Sequence, residues 1–164
     1  MTDHGVSGDL LAELTDRRAA LAERYLRPRS DRPEPTARGV HHVALLSSDV
    51  ERTTRFYDGV LGFPLIEMFE NRDYRGSTHF FFDIGHGNTL AFFDLPGVDL
   101  GDYAEVLGGL HHLAISIEPE QWEAARDRLD EAGVPYEHVS GTSLYFLGPD
   151  GERLELISDP LRWM

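Results

Sequence analysis

Two histidine-rich segments lie 70 residues apart in the chain: Gly39-Val40-His41-His42-Val43-Ala44-Leu45 and Gly109-Leu110-His111-His112-Leu113-Ala114-Ile115. A third segment, Arg153-Leu154-Glu155-Leu156-Ile157, sets one carboxylate among aliphatic neighbours. The chain has no cysteine, so imidazole and carboxylate are the side chains with which it can hold a metal. Side chains alternate faces along a strand. His42 therefore shares a face with Ala44 and Leu46, and His112 with Ala114 and Ser116. The opposite faces carry Val43 and Leu45 in one segment and Leu113, Ile115 and Ile117 in the other, the natural seat of a covering helix. His42 and His112 are expected on the open side, and His41 and His111 in structural positions. Glu155 sits between two leucines that must turn to the helix layer, so it joins the open side. A carboxylate in such a strand is costly to bury unless it is paired or bound to a metal. Two histidines and one carboxylate form a facial triad, suited to a divalent metal with open coordination positions. His79, His86 and His138 are expected on the surface or in supporting roles, and His4 in the N-terminal tail.

The elements that would position these groups repeat. Val40–Leu46 reads as a strand, and Ser48 or Asp49 can cap a helix over Val50–Asp58 that stops at Gly59 or Gly62. Three strands follow, over Pro64–Glu70, Thr78–Ile84 and Thr89–Asp94, separated by turns at Asn71–Gly76 and Gly85–Asn88. After Gly97–Gly109 the order returns. Leu110–Ile117 is a strand, and Pro119 opens a helix with Trp122, Ala125, Leu129 and Ala132 on one stripe, ended by Gly133. Tyr136–Val139, Ser143–Leu147 and Arg153–Ile157 are three more strands. His42, Gly62 and Pro64 match His112, Gly133 and Pro135 at a shift of 70 to 71, and Gly87, Leu90 and Pro96 match Gly151, Leu154 and Pro160 at 64. The second copy is about six residues shorter in its middle strands. The expected organisation is an N-terminal helix and Pro-rich linker over 1–38, a first module over 39–96, a connector over 97–109 and a second module over 110–160. Within the first part the spacing of Leu10, Leu14, Leu21 and Tyr25 predicts a helix over 7–26, an extension without chemistry that packs on its own body or on a partner.

Composition narrows the function. With 41% apolar and 10% aromatic residues in 164, the chain is expected to fold as one globular domain or as two modules sharing a core. A net charge of −14 argues against nucleic acid or an anionic membrane as partner. No apolar run is long enough to span a bilayer and no signal-peptide pattern opens the chain, so a cytoplasmic location is expected.

His42-Val43-Ala44-Leu45, Asp49-Val50-Glu51-Arg52, Phe56-Tyr57 and Leu61-Gly62-Phe63, followed by Tyr145-Phe146, Gly148-Pro149-Asp150-Gly151 and Leu154-Glu155-Leu156, resemble the vicinal oxygen chelate superfamily. Its members include glyoxalase I, extradiol dioxygenases, fosfomycin-resistance transferases, methylmalonyl-CoA epimerase and bleomycin-resistance proteins. The resemblance covers roughly residues 39–160. It implies an α+β fold of two βαβββ modules, forming a curved mixed sheet around a metal cleft, with the N-terminal helical extension outside it. It also implies a homodimer in which each site combines a module from each subunit. The family's metal positions fall on His42, His112 and Glu155, implying one divalent ion, Fe(II) or Mn(II) ahead of Zn(II) or Ni(II). A fourth position falls on Ala91, which cannot bind a metal; three ligands are what the extradiol dioxygenases and fosfomycin-type transferases use. Tyr145, ten residues before Glu155, stands where extradiol enzymes carry a catalytic tyrosine. Their acid–base histidine has no counterpart in Leu95–Gly109. The function implied is a dioxygenase-like enzyme acting on a small substrate with vicinal oxygens. The alternatives are a glyoxalase-like lyase, isomerase or thiol transferase, and a metal-free protein that sequesters an apolar or aromatic ligand in a pocket lined by Phe80-Phe81-Phe82 and Phe92-Phe93.

Overall fold

The structure, a computed structural model, describes residues 8–158; His4, Ser7 and Pro160 lie outside them. The chain divides into two compact units, one up to Gly39 and the other from Val40. The first holds helix α1 (Gly8–Tyr25) and a single 3-10 turn at Arg29–Asp31, inside the segment expected to lack regular structure. Among the described residues no helix is long and apolar enough to cross a membrane.

The second unit has the repeated order. Strand β1 (His42–Leu46) leads to α2 (Val50–Thr54), which continues as a π-helical turn over Arg55–Val60, and then to β2 (Leu65–Glu70), β3 (Thr78–Asp83) and β4 (Thr89–Phe93). The second copy runs β5 (Leu113–Ser116), α3 (Pro119–Glu131), β6 (Tyr136–Val139), β7 (Ser143–Leu147) and β8 (Arg153–Ile157). Each copy makes its own four-stranded mixed sheet, ordered β1-β4-β3-β2 and β5-β8-β7-β6, with the first and last strands of each module parallel. Two four-stranded mixed sheets, one from each βαβββ module, make the α+β fold that the resemblance implies.

Local chemistry sets the ends of these elements. Asp49 caps α2 by accepting a bond from the Arg52 amide at 2.9 Å. The helix then widens, with Leu61 N–H donating to the Phe56 carbonyl five residues back, before Gly62 turns the chain at φ 75°. The two first strands are shorter than their apolar runs. His41 lies just before β1, and His111 and His112 both lie before β5.

The inward faces of both sheets share one core. Leu90, Phe92, Phe80 and Phe82 from one sheet and Ile115, Leu154, Leu156, Leu144 and Phe146 from the other pack with Tyr57, Leu61, Trp122, Ala125 and Leu129 of the helical segments. The modules are also tied by polar contacts. Arg128 of α3 donates to the carbonyls of Val60 at 2.7 Å and Leu61 at 3.0 Å, the open end of the first module's helix. Asp150, in the turn before β8, accepts from Arg52 at 2.6 Å and from the Ser48 amide at 3.2 Å. Beneath it Tyr57 donates to buried Glu152 at 2.7 Å. Burial raises the pKa of Glu152 above the ordinary carboxyl range, while the Tyr57 bond opposes that shift. Gly148 is required here, because a Cβ would meet the Glu152 carboxylate at 2.0 Å.

Because both inward faces meet in this core, the opposite faces of the two sheets point away from it. Those are the faces that carry His42 and Glu155.

Candidate metal centre

On the second module the parallel pairing sets Ala114 beside Glu155, and the antiparallel pairing sets Tyr145 on the other side of it. His112 enters the same face, its Nε2 3.2 Å from Glu155 Oε2. Glu155 is only 5% exposed. A carboxylate so enclosed needs a cation or several donors, and His112 is one such partner. The ring of Tyr145 stands 5.6 Å from that of His112. Its hydroxyl faces the Glu155 carboxylate, which raises the phenol pKa; burial adds to the rise and Arg153 draws part of it back. Arg153 lies over the Tyr145 ring at 5.3 Å and 3.7 Å from Glu105 of the connector, which is itself 3.8 Å from His111 Nε2. A cavity of about 840 Å³ borders Tyr145 and Arg153 and is lined further by Tyr103, Glu105, Glu137 and Asp150; His112 and Glu155 do not line it.

The first module repeats the frame with other chemistry. Ala44 pairs with Ala91, and Ala91 with Phe81, the same register that holds Ala114, Glu155 and Tyr145. His42 opens β1, its ring 6.4 Å from Phe81. It has no carboxylate beside it: Ala91 fills that place and is fully buried. Arg72 and Arg75 fall in the exposed turn between β2 and β3.

The structure therefore brings together two of the three expected ligands. Among the described residues no group of three or more His, Asp or Glu side chains is close enough to hold a metal ion. His42 sits on the outward face of one sheet, and His112 with Glu155 on that of the other.

The sequence misjudged the neighbouring histidines. His41 and His111 are exposed rather than turned to the helix layer, and each bonds the histidine after it. The Nδ1···Nδ1 distance is 2.9 Å in His41–His42 and 2.7 Å in His111–His112. The doublet itself was the available signal. Because these residues precede the strands, strand alternation does not govern them. Each bond occupies Nδ1 of the open-face histidine and leaves its Nε2 for another partner. His138 is supporting, its ring 5.1 Å from that of Trp122, and His86 stands in a turn at φ 53°.

Comparison with known proteins places this frame. The family model of the Glyoxalase/Bleomycin resistance protein/Dioxygenase superfamily matches residues 39–156, and the chain belongs to that superfamily. It is 28% identical to MhqA of Bacillus subtilis (strain 168), a ring-cleaving dioxygenase by name, over 74% of this chain and 40% of that protein. It thus spans about two fifths of that relative's length. It is 31% identical to the metallothiol transferase FosB of Shouchella clausii (strain KSM-K16), over 72% of this chain and 78% of that protein. Among solved structures, the fosfomycin resistance protein FosX of Mesorhizobium loti superposes with a TM-score of 0.59 at 24% identity. That match covers 77% of this chain and 95% of FosX, a likeness of fold alone.

Proposed function

We propose that this protein is a divalent-metal enzyme of the dioxygenase type acting on a small substrate with two neighbouring oxygens. His112 and Glu155 of one copy and His42 of a second copy would hold the ion, with Fe(II) or Mn(II) as the metal. The observation that carries the reading is the enclosed Glu155 carboxylate 3.2 Å from His112 Nε2, on a face otherwise free for ligand. The donor set fits: it holds hard and borderline ligands, no thiolate, and fewer protein groups than a closed structural site uses. The outward direction of both half-sites favours a homodimer, since one chain cannot fold its two halves onto each other without opening the shared core. When bound, the metal supplies Lewis-acid stabilisation of charge on the two substrate oxygens.

This chain's own groups would do the rest. In the tautomer where Nδ1 of His112 donates to His111, the ring would present the Nε2 lone pair to a cation, and the same tautomer of His42 toward His41 would do so in the first module. Tyr145, whose hydroxyl faces the Glu155 carboxylate, holds a proton beside the site and can donate a hydrogen bond to substrate oxygen. The half-buried aromatic rings of the first module would exclude water from the other wall.

The test is metal content together with oxygen uptake. Protein purified without chelator should carry one Fe or Mn per His42/His112/Glu155 set, run as a dimer in light scattering, and consume oxygen in a screen of vicinal diols. Absence of metal, with no rise in melting temperature on adding Fe, Mn, Ni or Zn, removes the enzyme reading. A second reading, a lyase or thiol transferase at the same metal, is favoured by the likeness to FosB. Metal uptake with turnover but no oxygen consumption would select it.

A further inference from the structure

Helix α1 lies outside residues 39–156, the part that the superfamily match covers, and the candidate metal ligands do not use it. Leu11, Leu14, Arg18, Leu21 and Tyr25 recur at alternating steps of three and four and so share one face. Arg17 and Arg24 flank that seam, while Asp9, Asp16 and Glu23, spaced by seven, lie on the opposite face. The helix thus joins leucine to arginine on one side and turns its carboxylates to the other. None of its residues is buried, and Arg17, Arg18 and Arg24 form no ion pair among the described residues. Two such helices packed on each other would trap arginines in a seam that offers no carboxylate. The surface that fits this face is apolar and acidic.

The end of β1 and the connector form a groove of that character. A cavity of about 640 Å³ is walled by Ala44, Leu46, Leu100 and Leu110 and carries Asp102. A second, of about 460 Å³, shares Leu100 and Asp102 with it and adds Val98 and Asp99. Leu46, Val98 and Leu100 are 46%, 44% and 40% exposed. Asp99 and Asp102 form no ion pair among the described residues, and Arg52, the basic residue on the wall, is already bonded to Asp150. The same division runs through the whole chain. Residues 1–39 hold seven arginines and seven carboxylates, so the net charge of −14 falls entirely on 40–164.

We propose that helix α1 of one copy docks in this groove of a second copy, its leucines against Leu46, Val98 and Leu100 and its arginines at Asp99 and Asp102. Both surfaces stand open in the single chain, and a second copy supplies the missing half of each. Exchange in both directions closes a two-fold pair with both seams and both grooves filled, which brings the contact toward the roughly 1,600 Å² usual in stable interfaces. The exchange needs no metal and is independent of the ligand set above.

The chain has no cysteine, so introduced cysteines report contacts without background. Leu21→Cys and Leu100→Cys, both at exposed positions, are prepared as separate full-length proteins, mixed under mild oxidation and mapped by peptide mass. A disulfide joining positions 21 and 100 of different chains is expected, in about tenfold excess over like-with-like products. Adding Arg18→Glu to the first protein should lower that yield about fivefold with the melting temperature unchanged. No disulfide between the two proteins, or a yield that ignores Arg18→Glu, overturns the exchange. A disulfide that forms only when both substitutions share one chain, and leaves that chain monomeric, gives the groove to its own helix and overturns it too. Wild-type protein that instead sediments with phosphatidylglycerol vesicles, and no longer does so as Arg18→Glu, assigns the helix to a membrane and overturns it as well.

Discussion

The two modules share a frame and differ in what they place on it. At one register point the first has Ala44, Ala91 and Phe81, and at the same point the second has Ala114, Glu155 and Tyr145. One methyl has replaced a carboxylate and one phenyl a phenol. The first module thus keeps a single histidine against an aromatic wall, and the second keeps a histidine, a carboxylate and a phenol together. The duplicated sheet conserves direction, while the chemistry is set by a few side chains on its outer face.

The largest effect should come from breaking the richer half. Glu155→Ala should weaken Mn(II) binding by about 100-fold or more, read by titration and elemental analysis; retained affinity would remove Glu155 from the ligand set. Tyr145→Phe makes the second module resemble the first and should lower turnover about 100-fold with metal content intact, so a pure rise in KM would assign it to binding instead. Grafting the carboxylate the other way tests the burial of the first module's face. Ala91→Glu puts a charge where nothing pairs it and should cost the metal-free protein about 2–3 kcal/mol in urea unfolding. A smaller loss, about 1 kcal/mol, is expected for Asp150→Ala, since Arg52 is half exposed and solvent screens the pair.

The smallest is a pH effect at the joint between the modules. Glu152 has a pKa raised by burial, so the native state holds its proton more tightly than the unfolded chain does. Its contribution is complete below the ordinary carboxyl range and is lost as pH rises through the folded value. Glu152→Gln should therefore gain stability relative to the parent across that window, by about 1 kcal/mol or less. A flat difference between the two unfolding curves would mean that the Tyr57 bond cancels the burial cost.

The fold was legible because periodicity is local and the repeat could be counted. The last three strands of each module lie within a residue of their apolar runs, since alternation and flanking glycines mark both ends. The first strands were overestimated at their entrances, where His41 and His111 bend the chain to reach their neighbours. The π-turn was not readable, as it depends on a bond five residues back that no spacing rule marks. Nor was the outward direction of the half-sites, which follows from Arg128 meeting Val60 and Tyr57 meeting Glu152 across 68 and 95 residues. His79 was hidden for another reason. In a run of phenylalanines it reads as one more ring, and only packing shows that its buried Nε2 has no hydrogen-bond partner among the described residues.

The parallel pairing of first and last strands has a consequence for behaviour in solution. It leaves β1 and β5 as outer strands, each with one backbone edge that no strand pairs among the described residues. The other outer strands, β2 and β6, carry Glu67, Glu70 and Glu137, but β1 and β5 contain no charged carboxylate or arginine and no proline. The whole chain contains no lysine, the residue that most often blunts such edges. What opposes indiscriminate strand pairing between copies is then long-range repulsion from the net charge of −14. Repulsion of that kind fades with ionic strength. Colloidal stability of this protein should therefore depend on salt more steeply than its folding does.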